Sequence, residues 1–105
     1  MSEINKNFIV VHGWMVSDLK LKGNELFVYA IIYGFSQDGQ TEYKGSLSYI
    51  EKWLNVSRHT AIDAIQNLLD KRLIVETYRP KQGKHETCRY MAPLDNLLEY
   101  AAKVK

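Results

Sequence analysis

Apolar residues recur along this chain with a helical period, most clearly from Ser46 to Ile74, SLSYIEKWLNVSRHTAIDAIQNLLDKRLI. Leu47, Ile50 and Leu54 fall at i, i+3 and i+7, which is one face of a helix. Ser46 stands where its hydroxyl can accept from an unpaired first-turn amide. Asn55 follows directly, and asparagine tolerates the left-handed backbone that ends helices. Val56 is placed to plug the corner. Ser57 is a second N-cap, and from Arg58 onward Ala61, Ala64 or Ile65, Leu68 and Leu69 keep helical spacing. Arg58, His59, Asp63, Gln66 and Asn67 occupy the opposite face.

The pattern is helix, three-residue turn, helix, with the polar first turns of the second helix facing solvent. A helix-turn-helix reaches base edges in a major groove with this arrangement. Capped helix pairs with polar outer faces also occur in small helical domains of other function, so the geometry alone leaves both readings open.

Upstream, Leu26 to Phe35, LFVYAIIYGF, is apolar almost all round and predicts a central buried helix. Gly23 and Asn24 open it, Glu25 suits the positive end of the helix dipole, and SQDG at 36–39 stops it. Tyr29 and Tyr33, four apart, predict one outward stripe. Phe8 to Val16, FIVVHGWMV, reads as a buried strand followed by a short helical turn, a choice that periodicity does not settle. Trp14 and Met15 read as core or subunit-interface residues. His12, among apolar neighbours, reads as a hydrogen-bonded structural histidine rather than a ligand. Thr41 to Gly45 has room for one small strand.

Downstream the period changes to two. Ile74 to Tyr78 and Thr87 to Met91 alternate apolar and polar across a loop holding Pro80 and Gly83, which predicts a β-hairpin. After Pro93, a natural first-turn residue, Leu94, Leu97, Leu98 and Ala101 share a face. This last helix either packs back on the domain or dimerises it, and its stripe is still running at residue 105, so a longer protein is one expectation.

At 105 residues the chain is one domain, divided here into 1–92 and a C-terminal amphipathic helix at 93–105. Its apolar and charged fractions, 46% and 25%, are ordinary for a globular protein. No apolar run approaches membrane-spanning length, and the polar start, MSEINKN, lacks a leader's features, so a cytoplasmic location is expected. The single Cys88 fits a reducing compartment. A net charge of +2 decides little, but its distribution does more: residues 79–105 hold six lysines and arginines against three acids. Arg79, Lys81, Lys84, His85 and Arg89 cluster in and beside the hairpin loop, where cations can meet phosphates.

Catalysis is not expected. The chain has no glycine-rich phosphate loop, HExxH or CxxC, and its three histidines are far apart with no ligand spacing. No cofactor or metal is expected. Cys88 reads as an ordinary semi-buried thiol.

The order of elements (lead, helix, short strand, helix, helix, two-stranded ribbon) resembles the winged helix-turn-helix architecture, an α+β, mainly α fold. Ile50, Leu54, Val56, Ser57, Thr60, Ile65, Leu68, Leu73 and Ile74 fall where that family's pattern wants them. The chain departs from it at Asn55, which replaces the turn glycine, and at Glu51, which replaces a small residue. Arg72 replaces the glycine after the recognition helix, so that end is expected to close without a left-handed residue. Within the architecture, LKLKGNELFVYAIIYGFSQDGQTEYKGSLSYIEKWL is similar to the amino-terminal domain of plasmid and phage replication initiators and replisome organisers, through Leu19, Leu21, Glu25, Val28, Tyr29 and Ile32.

The resemblance implies double-stranded DNA as partner, with other replication proteins and a second copy of the chain, joined through the C-terminal helix, as further partners. Ser57, Arg58, His59, Thr60, Gln66 and Asn67 would lie along the groove: Arg58 on guanine or phosphate, His59 and Thr60 on phosphate or base, Gln66 on an adenine edge or the backbone. Arg79, Lys81, Lys84 and His85 would make the wing contact. The same fold serves transcriptional regulators and protein-docking modules, and Ile62, Asp63 and Asp70 on the groove-facing helix keep the docking alternative open.

Overall fold

The computed structural model describes residues 9–35, 43, 47–79 and 88–104 of the chain. Among them are five helices and one hairpin: α1 (Gly13–Ser17), α2 (Gly23–Phe35), α3 (Leu47–Leu54), α4 (Arg58–Asp70), β1 (Val75–Tyr78), β2 (Arg89–Met91) and α5 (Leu94–Val104). This is a winged helix-turn-helix, α+β and mostly helical. The Ser46 cap, the SQDG stop and the hairpin loop at 80–87 lie outside the described residues.

Helix α2 is the hub, as its all-round apolar sequence requires. Val28, Tyr29, Ala30, Ile31 and Ile32 are consecutive and all buried, which is possible only for a helix covered on several sides. It packs against α4 and touches α1, α3 and β2. From α4 the core takes Ala61, Ala64, Ile65 and Leu68, from α3 Ile50, and from the turn after α4 Leu73 and Ile74. Helix α5 adds Leu97 to this core and packs Tyr100 and Ala101 against it, while Leu98 stays 60% exposed.

The lead segment differs from its expected form. Residues 9–12 form no strand, and Gly13–Ser17 is a five-residue helix. Met15 and Leu19, four apart, are both fully buried, whereas Val10, Val11 and Val16 remain exposed. A buried strand would hide that valine pair; a helical turn needs only one face.

Tyr29 and Tyr33 also depart from the outward stripe. Tyr29 is fully buried and Tyr33 half-buried. Their rings stack at 6.0 Å, and both meet Trp14 edge-on, at 6.3 and 5.1 Å. The pair faces α1 because Trp14 offers an aromatic surface there, and such ring pairs favour offset and edge-on contact. His12 joins them, stacked on Trp14 at 5.5 Å and edge-on to Tyr33 at 5.6 Å. Its Nε2 is buried with no hydrogen-bond partner among the described residues, so the ring is held by stacking rather than by the expected hydrogen bond.

The hairpin is antiparallel, pairing Val75 with Met91, Glu76 with Tyr90 and Tyr78 with Arg89. The register shifts between Glu76 and Tyr78, leaving Thr77 as an extra residue, a bulge of the kind that bends and twists a ribbon. Tyr43, in the segment expected to hold a small strand, bridges to Tyr90 from the other side. Its N–H donates to the Tyr90 carbonyl at 2.6 Å, and the Tyr90 N–H returns to the Tyr43 carbonyl at 3.1 Å.

Candidate nucleic-acid interface

Three residues fix how α4 is presented. The Ser57 hydroxyl accepts from the Thr60 N–H at 3.2 Å and donates to the Thr60 hydroxyl at 3.0 Å, closing the N-terminus of α4 as its sequence predicts. Asn55, at φ 53°, ends α3, and the Val56 N–H reaches back to the Glu51 carbonyl at 3.2 Å. Arg72 ends α4 in the left-handed region itself, at φ 62°. Its N–H donates to the Leu69 carbonyl and the Leu73 N–H to the Leu68 carbonyl, at 3.0 and 3.1 Å. This is the double hydrogen bond of a Schellman closure. The expectation that this end closes without a left-handed residue is therefore corrected. Leu68 and Leu73, fully buried together, and Asn96, whose amide donates to the Arg72 carbonyl at 2.9 Å, hold the arginine where glycine is usual.

Between these ends Arg58, His59, Ile62, Asp63, Gln66, Asn67 and Asp70 are all exposed. The polar side of α4 is thus open, and the sequence-predicted Ser57, Arg58, His59, Gln66 and Asn67 lie exposed on one element; Thr60 is half-buried under the cap. Arg79 stands apart, just past β1. Lys81, Lys84 and His85 lie outside the described residues.

The charged groups are largely engaged with one another. The Arg58 Nε lies 3.5 Å from a Glu51 oxygen that is itself buried, so the two helices are tied across their turn. Glu51, which replaces a small residue, has this as its role; the Glu51–Arg58 spacing across the turn was the available signal. The His59 Nε2 lies 3.3 Å from Asp63, and the Gln66 amide nitrogen donates to Asp70 at 3.0 Å. Arg79 makes two 2.8 Å hydrogen bonds to Glu76, which raise its pKa further above the ordinary arginine value. Arg89 lies over the Tyr78 ring at 4.8 Å, a cation–π contact.

One consequence is electrostatic. The open side of α4 carries one fixed positive charge, Arg58, and two negative ones, Asp63 and Asp70. It is a hydrogen-bonding surface, not a cationic one. At the foot of the helix a hollow of about 140 Å³ is lined by Lys71, Arg72, Asn96, Glu99, Tyr100 and Lys103, a mixed set with a small positive excess. Lys71 is paired with Glu25 from the first turn of α2. Among the described residues no group of histidine, cysteine and carboxylate side chains could hold a metal ion, and no helix is long and apolar enough to cross a membrane.

Two helices joined by a tight turn, the second with an open polar side, and a two-stranded antiparallel ribbon after them define the DNA-binding class of winged helix-turn-helix proteins. A family profile described as a helix-turn-helix domain matches residues 19–74, just over half of the chain, and the chain belongs to that family. No curated protein and no solved structure matches it.

Proposed function

We propose that this chain binds duplex DNA as a sequence reader of the replication-initiator or replisome-organiser type, without catalytic activity, laying α4 in the major groove and gripping the flanking backbone with the wing. The observation that carries the DNA reading is the uncovered polar side of α4 from Arg58 to Asn67. The replication role is supported by the resemblance of residues 19–54 to those initiators. In this reading Arg58, His59, Gln66 and Asn67 meet base edges or phosphates, Ser57 and Thr60 set the first turn, and Arg79, Lys81, Lys84 and His85 meet phosphates.

A duplex titration tests it. Binding weakens as salt rises, and Arg58→Ala and a Lys81→Ala/Lys84→Ala pair each weaken it further. A flat, salt-insensitive titration over a randomised duplex pool removes the reading. Role is separated from binding by placing a recovered site in a plasmid lacking its own initiator. Replication on supplying the protein supports the initiator role, whereas altered reporter expression without replication assigns a transcriptional regulator.

A protein-docking module is the second reading, favoured by the exposed Ile62 and the acids beside it. A homodimer through α5 would use Leu98, since Leu97 and Ala101 turn toward the core. Light scattering that gives the mass of one chain for both the native protein and Leu98→Glu excludes that dimer.

A further inference from the structure

We infer that the surface of α4 is built to read A·T base pairs, with Ile62 against a thymine methyl group and Gln66 against an adjacent adenine. This inference rests on the duplex binding proposed above and names the sequence class that the helix selects.

Ile62 is the first observation. It is 44% exposed and is the only apolar residue among the exposed positions of α4. Its neighbours on that side are Arg58 and His59 one turn before, Asp63 beside it and Gln66 one turn after. In a major groove the thymine C5-methyl is the one apolar group that projects from a base edge; cytosine shows only a small C5–H at that place, beside its N4 amine. A branched aliphatic side chain centred on a groove-facing helix has that methyl as its best partner; against guanine or phosphate it would bury polar atoms without hydrogen bonds, and against cytosine it would gain a smaller apolar contact.

Gln66 is the second, one turn further along. Its amide nitrogen already donates to Asp70. That bond fixes the plane of the amide and leaves its second N–H and its carbonyl oxygen open. A donor and an acceptor side by side match adenine N7 and N6. Asp70 therefore acts as a positioning residue for Gln66, which gives a reason for an acid on a helix that approaches phosphates.

Arg58 and Asp63 do not compete with this assignment. The Nε of Arg58 is directed to Glu51 and Asp63 is engaged by His59. Arg58 lies one turn nearer the N-terminus, where it can position the helix on the backbone or read a flanking pair.

The experiment is selection of binding sites from a randomised duplex pool, followed by titration of the best duplex with each thymine replaced in turn by uracil, which removes only the methyl group. The selected sites are expected to be dominated by A·T pairs at two neighbouring positions. Uracil at one of them should weaken binding about fourfold, the value of one buried methyl-sized group. Ile62→Ser should abolish that uracil effect while keeping salt-dependent binding, and Ile62→Val should retain it. Asp70→Ala, which removes the acceptor of the Gln66 amide, should reduce the preference for adenine over guanine at the neighbouring position, and Asp70→Asn, which keeps one, should retain it. Selected sites without A·T enrichment, or an undiminished uracil effect in Ile62→Ser, overturn the inference and leave DNA binding standing. No binding to any pool member overturns both.

Discussion

Arg72 shows how a single residue can hold a conformation that its type disfavours. A non-glycine residue in the left-handed region costs about 1–2 kcal/mol, and here the buried Leu68–Leu73 contact and the Asn96 hydrogen bond hold it there. Arg72→Gly removes that strain, less the added freedom of glycine in the unfolded chain. It is expected to stabilise the protein by about 0.5–1 kcal/mol, read as a rise of a few degrees in the thermal midpoint. Asn55→Gly, at φ 53°, should change stability by only a few tenths, because asparagine already tolerates this region. The sequence marked the Asn55 corner and missed that at Arg72, since one of the contacts that hold it, the Asn96 hydrogen bond, comes from α5, 24 residues away. Tyr29 offers a second residue-scale test. Its hydroxyl is buried with no partner among the described residues, and burial raises its pKa far above the ordinary tyrosine value. Tyr29→Phe should leave stability unchanged or raise it by about 1 kcal/mol, measured by urea denaturation.

At the scale of elements, the helices with strong periodicity and a side-chain cap were the legible ones. Ser57 does what its position announces, and Ser57→Ala should cost about 1 kcal/mol by thermal or chemical unfolding. It should also weaken DNA binding modestly, because Thr60 loses both of its contacts to Ser57. The hairpin was legible from its alternation and Tyr43 from the room left for a strand, but neither pattern shows the bulge at Thr77, which depends on how β1 and β2 slide past one another. Helix α1 was the hardest to read. Five residues are too few for a period to declare itself, and its burial is set by α2. The exposed polar side of α4 was legible residue by residue, while the pairing within it, Arg58 to Glu51 and Gln66 to Asp70, required coordinates.

Over the whole molecule, the residues on which the proposed resemblance to replication initiators rests also hold the fold together. Leu19, Leu21, Val28, Tyr29 and Ile32 are all at most 2% exposed, and Glu25 pairs with Lys71 at the far end of α4. The shared pattern specifies how α1 and α2 seat against the helix pair. Charge tells a complementary story. With the open side of α4 net negative, Arg58 against Asp63 and Asp70, attraction to DNA in the proposed reading comes from residues 79–105 and from the foot of α4. The salt dependence should accordingly be moderate: on the order of four phosphate contacts corresponds to about a hundredfold loss between 50 and 200 mM salt. Equilibrium titration across that range checks it, and Arg72→Ala with Lys103→Ala should flatten the slope by about one contact each.

The bridge between Tyr43 and Tyr90 carries one more implication. Tyr43 is 1% exposed, and its ring meets Phe35 at the end of α2, at 5.3 Å, and Tyr49 of α3, at 6.1 Å. The ribbon's inner strand is thereby nailed to two helices at once, so its root cannot swing independently of the body. A duplex seated on α4, as proposed above, would therefore meet the root of the ribbon at a place set by the fold.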